Sequence, residues 1–250
     1  VNNSNKLNFS LWQILSAKQF VLFISLFFTF LNLSSQTTFD VYDGSNEDDV
    51  PVDVASQYTY CEIIIQMEDL PDNQNITGIQ LEWNGFAAYA SESWEIYMNT
   101  TDKETFDNTT DWLALSSSNK VFDGTVSLPA SAGFVQIDLD NNQGVTLWNN
   151  IVIGIKRKTN TTENSSANFY SVTGKTDRAL YISSTSDINV TSPGTGTVKS
   201  FLPSGKLVGY NQNTWTGAVS SDCHDGANWS NSWIANTTAD VTMPATANDP

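Results

Sequence analysis

The rarest reactive side chains of this 250-residue chain stand together near its C-terminal end. His224 is the only histidine, Cys223 is one of two cysteines, and Asp222 and Asp225 flank the pair. A cysteine nucleophile needs its thiolate beside the imidazole, whereas neighbouring residues of an extended segment project to opposite sides. A tetrahedral zinc site needs ligands that converge on one point, which four consecutive residues do not easily provide. We interpret the segment as a polar turn.

A second group of side chains has the oxygen ligands that calcium prefers. Asp43, Glu47, Asp48 and Asp49 lie in the short stretch "DGSNEDD". Ca²⁺ binds about six to eight oxygen atoms, many of them from carboxylates. The stretch lacks the glycine of an EF-hand loop, and the alternative interpretation is an acidic, solvated hairpin. Calcium is the one cofactor that the sequence predicts.

Tryptophan side chains are the other candidates for ligand binding. Trp112 and Trp148 lie beside polar neighbours, and exposed rings at these positions would stack on sugars. Trp83 and Trp94 follow the alternation of their strands and are predicted to be core residues. Because tryptophan is highly buried on average, the alternative is that Trp112 and Trp148 also serve packing.

Several function classes are disfavoured. The chain has neither an H-E-x-x-H zinc-protease motif nor a G-x-S-x-G serine elbow, so we predict that this chain carries no catalytic residues. With 11 Lys and Arg against 27 Asp and Glu, its formal charge is −16. Phosphate binding depends on clustered cations, so nucleic acid is excluded as a partner. An extracellular glycan or a surface protein is the expected partner.

The sequence segments that must position these side chains alternate apolar and polar residues with a period of two. "GIQLEW", "SWEIYM", "FVQIDLD" and "NNIVIGIKR" each place apolar residues on one face, which is typical of half-buried strands. Gly, Asn, Asp and Pro punctuate the strands as turns. We expect the segment from Thr101 to Leu115 to be a long loop. The pattern predicts an all-β, antiparallel two-sheet sandwich of jelly-roll type.

The chain divides into three predicted segments. Residues 1–35 resemble a secretory signal peptide, because Lys6 and Lys18 precede a short apolar run from Phe20 to Leu33. Residues 36–209 form the β-sandwich, and residues 210–250 begin a second, truncated β module that we expect to be poorly packed or extended. The mature protein is then secreted or at the cell surface, without a membrane segment. Export would permit a disulfide, but the sequence leaves open whether Cys61 and Cys223 are bonded.

Three motifs carry a resemblance to a known class of protein. "SWEIYMNTTDKETFDNTTDWLAL", "KVFDGTVSLPASAGFVQIDLD" and "NNIVIGI" resemble a β-sandwich module of secreted multidomain Bacteroidota proteins. The stretch "TWTGAVSSDCHDGANW" resembles another repeat of the same proteins, with matches at Trp215, Gly217, Asp222, Asn228 and Trp229. The resemblance implies an adhesin-like surface protein that is exported by type IX secretion.

These observations give one main hypothesis and one alternative. The main hypothesis is a non-catalytic, exported β-sandwich module of a larger surface or secreted protein, with a role in adhesion, binding or spacing. The alternative is a carbohydrate-binding module or accessory domain of a secreted enzyme that degrades polysaccharide or protein.

Overall fold

The structure, a computed structural model, describes residues 37–70, 74–144, 149–215, 217–224, 228 and 239–242. The described residues all belong to one compact unit. The predicted signal peptide and Trp148 lie outside the described residues. None of the described helices is long and apolar enough to cross a membrane.

Fourteen described strands and two short 3₁₀ helices make up the fold. The strands are β1 (Thr37–Tyr42), β2 (Asn46–Asp48), β3 (Tyr58–Ile65), β4 (Gln74–Trp83), β5 (Tyr89–Thr101), β6 (Lys120–Leu128), β7 (Gly133–Gly144), β8 (Asn150–Arg157), β9 (Phe169–Thr173), β10 (Ala179–Ser184), β11 (Thr197–Lys199), β12 (Phe201–Pro203), β13 (Gly205–Thr214) and β14 (Ala239–Thr242). The 3₁₀ helices are Met67–Asp69 and Ser117–Asn119. All four strands that alternation predicted are present, as β4, β5, β7 and β8.

The strands form two sheets that pack face to face. The first has eight strands in the order β1-β13-β4-β9-β12, with β14 on β13, β2 on β9 and β7 on β4. The second has six strands in the order β11-β10-β3-β8-β5-β6. The described ladders are antiparallel except for β13–β14. The predicted all-β, two-sheet antiparallel sandwich is confirmed.

The main core lies between the inner faces of the two sheets. Ile79 and Leu81 of β4 face it from one side, and Ile153 and Ile155 of β8 face it from the other. Aromatic rings fill one part of this core, where the ring centroids of Trp83 and Trp94 lie 5.0 and 5.8 Å from that of Phe169. Both tryptophans are fully buried, as predicted.

A second apolar layer covers part of the outer face of the six-stranded sheet. Val152 points to this side of β8 and is buried together with Tyr60, Tyr97 and Leu115. The loop between β5 and β6 supplies Leu115 and contains no α-helix, as the sequence predicted. The loop packs closely over Gly154, because a Cβ atom there would lie 2.8 Å from both Leu115 Cδ1 and the Tyr60 hydroxyl.

The C-terminal region is more closely tied to the sandwich than we expected. Strand β13 continues through the predicted boundary at residue 209, and β14 pairs with it in parallel. Trp215 and Asn228 are buried, at 1% and 0% exposure. We expected a poorly packed or extended segment: the chain is well packed at these two positions, and it is extended in the described strands β13 and β14. The second module stays a prediction.

Candidate functional site

The four residues predicted to bind calcium separate into two pairs. Asp43 and Glu47 are exposed and line the same open cleft. Asp48 and Asp49 instead approach Lys199, whose Nζ lies 3.2 and 3.4 Å from their carboxylate oxygens. The lysine ammonium already supplies a positive charge at the second pair, so calcium would compete with Lys199 there. The calcium site stays a prediction.

The cleft beside Asp43 and Glu47 is open to solvent and is lined mainly by polar side chains. Its volume is about 800 Å³. Its lining is formed by Asp43, Gly44, Ser45, Glu47, Glu82, Ala132 and Tyr170. Three carboxylates and one aromatic ring thus meet at this end of the eight-stranded sheet.

Strand register explains why these side chains share one face. Tyr170 on β9 pairs directly with Glu47 on β2, and Glu82 on β4 pairs directly with Phe134 on β7. The neighbouring residue Trp83 is fully buried. Because successive side chains of a strand point to opposite faces, Glu82 is directed outward. Phe134 points outward as well and is 43% exposed.

Polar residues continue this outward face across the sheet. Gln80 Nε2 donates to Gln136 Oε1 at 2.8 Å, and Gln136 Nε2 donates to Asp138 Oδ1 at 2.7 Å. Lys206 lies over the Phe134 ring, with Nζ 4.6 Å from its centroid. We define the outer-face strip as Glu47, Gln80, Glu82, Phe134, Gln136 and Tyr170. Sequence reasoning missed it, although the alternation of β4 and β7 marked the outward positions.

The outer face of the six-stranded sheet differs because its charges are paired with one another. Lys120 and Lys158 each contact both Glu95 and Asp123, at distances between 2.6 and 3.1 Å. Hydrogen bonds from the two lysines lower the pKa of Asp123 to about 2. This network is internally balanced, so it offers less unpaired charge to a ligand than the outer-face strip does.

The structure places Trp112, a predicted sugar-stacking residue, in a partly buried position on the loop between β5 and β6. Its ring stacks on Tyr60 with centroids 5.4 Å apart. Its Nε1 donates to the carbonyl of Gly194 at 2.7 Å. One face of the indole is therefore used in packing, and sugar stacking at Trp112 stays a prediction.

A buried carboxyl group lies beneath the same loop. Glu62 accepts hydrogen bonds from the Tyr60 hydroxyl at 2.8 Å and from the backbone N–H of Leu113 at 2.7 Å. Burial raises the pKa of Glu62 to about 7. Since both carboxyl oxygens have partners and the side chain is fully buried, Glu62 fixes the loop to the sheet.

The cysteines occupy different environments. Cys61 is fully buried on β3 and is a free thiol, so it forms no disulfide with Cys223. The Sγ atom of Cys223 lies 3.6 Å from His224 Nδ1, and Asp222 Oδ1 lies 3.4 Å from the same nitrogen. An extended segment, as the sequence predicted, would keep these three side chains apart. The structure brings them together instead.

No family model matches the chain, and no curated protein matches it. Solved structures resemble part of it, among them two of the same protein. One is the clostridial cysteine protease Cwp84 after propeptide cleavage, with 9% identity and a TM-score of 0.42 over 71% of this chain and 41% of that chain. The other contains the cysteine protease and lectin-like domains of Cwp84, a surface layer associated protein of Clostridium difficile, with 11% identity and a TM-score of 0.39 over 71% of this chain and 36% of that chain.

The matched region therefore spans less than half of either solved chain.

Proposed function

We propose that this chain is a non-catalytic β-sandwich binding module of an exported protein, and that its outer-face strip binds carbohydrate. One observation carries the proposal: the rings of Phe134 and Tyr170 share an outward sheet face with the carboxylates of Glu47 and Glu82. The strands hold these side chains in fixed register, so the surface is formed before a ligand arrives.

The chemistry of the strip is complementary to that of a sugar. A sugar ring has an apolar C–H face and a rim of hydroxyl groups. An exposed aromatic ring provides an apolar platform with a defined orientation, and carboxylates accept hydrogen bonds from hydroxyl groups more strongly than neutral oxygens do. The amides of Gln80 and Gln136 add donors and acceptors beside the platform.

The environment of the most perturbed carboxyl group supports a non-catalytic role. A glycosidase acid needs a raised pKa and access to the scissile oxygen. Glu62 has the raised pKa, but it is fully buried. Its oxygens are occupied by Tyr60 and Leu113, so it cannot reach a substrate.

Export rests on the sequence. The apolar run from Phe20 to Leu33 after two lysines is typical of a secretory signal peptide. The resemblance to secreted Bacteroidota modules supports a surface location, type IX secretion and an adhesive role within a larger protein. A formal net charge of −16 for the chain also suits an adhesive module that must stay soluble.

A glycan array, followed by affinity electrophoresis with the polysaccharide that binds, tests the proposal. We expect Phe134→Ala and Tyr170→Ala each to weaken binding by about 1–2 kcal/mol, because each removes an aromatic platform. Phe86→Ala is the matched control, because Phe86 is a 52% exposed phenylalanine outside the strip. An array without hits, or equal loss in all three variants, would contradict the proposal.

A further inference from the structure

The loop that contains the only histidine brings three different metal-ligand atoms together. Asp222, Cys223 and His224 each offer one ligand atom, and these atoms all lie within 4.8 Å of one another. We propose that the three residues form a surface site for a thiolate-preferring divalent cation, with Zn²⁺ as the best fit. The site is separate from the outer-face strip, and the proposal does not depend on carbohydrate binding.

Two distances match the edges of a tetrahedral zinc site. With Zn–S of about 2.3 Å, Zn–N of about 2.0–2.1 Å and Zn–O of about 2.0–2.2 Å, tetrahedral angles give N···S of about 3.6 Å and N···O of about 3.4 Å. The observed separations are 3.6 Å from His224 Nδ1 to Cys223 Sγ and 3.4 Å from the same nitrogen to Asp222 Oδ1. The third separation, from Cys223 Sγ to the Asp222 carboxylate oxygen, lies within 4.8 Å, compared with about 3.6 Å in a tetrahedral site, so a bound ion would fix the position of these exposed side chains.

Hydrogen bonding alone explains this arrangement less well. Both Cys223 Sγ and Asp222 Oδ1 approach the same ring nitrogen of His224. In a neutral imidazole, a ring nitrogen either donates one hydrogen or accepts one, so it cannot make two good hydrogen bonds of this kind. A cation between the three atoms would be contacted by one ligand atom of each residue.

The loop is held in place by a buried side chain. Asn228 is fully buried, and its Oδ1 accepts from the backbone N–H groups of Val219 and Ser220 at 2.9 and 3.0 Å. Its Nδ2 donates to the carbonyl of Asp222 at 2.9 Å. The backbone N–H of His224 donates to Asp222 Oδ1 at 2.9 Å, which orients the carboxylate. Such outer contacts orient ligands and strengthen metal binding.

The ligand set determines the class of cation. Ca²⁺ and Mg²⁺ prefer oxygen ligands alone, whereas a set of one sulfur, one nitrogen and one oxygen suits Zn²⁺. Three protein ligands leave a fourth position for water. The side chains of His224 and Asp222 are 81% and 64% exposed, so the cation can enter directly from solvent.

Cobalt titration of the whole reduced chain tests the site. We expect one Co²⁺ per chain with a thiolate-to-cobalt charge-transfer band, and Zn²⁺ should displace it. Cys223→Ser should abolish the band. His224→Ala and Asp222→Asn should weaken binding by more than about tenfold, since even changes to groups around a metal site cost about 10–100-fold. Cys61→Ala is the matched control, because it removes the other thiol and should leave the band unchanged.

Circular dichroism of each variant separates loss of ligands from loss of folding. No band in the wild-type chain would overturn the proposal. So would a band that survives Cys223→Ser or one that requires two chains per metal. Titration in a denaturing concentration of urea completes the test. If the folded loop forms the site, the band should be lost in urea. An unchanged affinity for Co²⁺ in urea would show that the fold does not form the site.

Discussion

The most demanding prediction concerns a cation buried inside the sandwich. Arg157 is fully buried at the end of β8. Its Nε and Nη2 donate to the two carboxylate oxygens of Glu92 at 2.5 and 3.0 Å. Its Nη1 lies 2.5–3.1 Å from four backbone carbonyl oxygens, those of Ser56, Gln57, Thr159 and Thr161. One guanidinium thus joins β5, β8 and the two chain segments that precede β3 and follow β8.

Arg157→Met removes the cation and leaves the carboxylate behind. Glu92 is 2% exposed, so its charge would lose its partner without gaining water. Removing one member of a buried pair costs about 3–5 kcal/mol, and we expect a loss of this size in the free energy of unfolding. The double variant Arg157→Met, Glu92→Leu should lose less free energy of unfolding than the two single variants lose in sum, because no unpaired charge remains.

Urea unfolding followed by tryptophan fluorescence measures these changes, because Trp94 pairs directly with Arg157 and is buried. Lys206→Met is the matched control: its partner Asp40 is 79% exposed, and the loss should stay within about 0.5 kcal/mol. A loss below about 1 kcal/mol in Arg157→Met, or strict additivity in the double variant, would refute the reasoning.

Three further predictions follow from the structure. Because the pKa of Glu62 is raised from 4.5 to about 7, its contribution to stability is complete below pH 4.5 and is lost as the pH rises through 7. Between pH 5 and 8, urea titrations should show that the free energy of unfolding of the wild type falls by about 2–3 kcal/mol relative to that of Glu62→Gln. If the free energies of the two proteins change in parallel with pH, the prediction is wrong. Lys199→Met removes the cation beside Asp48 and Asp49 and should tighten calcium binding at least about threefold by calorimetry; unchanged affinity would count against the calcium site. Gly154→Ala should cost about 1–3 kcal/mol by overpacking, because its Cβ would lie 2.8 Å from two enclosed side chains, and a neutral effect would show that the loop adapts.

Local alternation was enough to predict four of the strands that form the core, β4, β5, β7 and β8. Ile79 and Leu81 on β4, and Ile153 and Ile155 on β8, are buried as the period of two predicted. The order of the strands was not predictable, because pairing depends on partners far apart in sequence. Thr37 on β1, for example, pairs with Gly209 on β13. The predicted module boundary at residue 209 lies within β13 and stays a prediction.

The candidate sites were harder to predict than the fold. Alternation marked Glu82 and Phe134 as outward residues, but only the register of β4 with β7 shows that they are neighbours. Tyr170 joins them through β9, which no sequence spacing indicates. For Asp222, Cys223 and His224, the assumption of an extended segment was the source of error, because Asn228 holds the loop in a turn.

Nuclear magnetic resonance mapping of a bound oligosaccharide tests the central claim most directly. The ¹⁵N-labelled chain would be titrated with the glycan selected on the array, and amide shifts would be assigned to strands. Binding at the outer-face strip predicts the largest shifts on β4, β7 and β9, around Glu82, Phe134 and Tyr170. Shifts concentrated around Trp112, or on the six-stranded sheet, would contradict the claim.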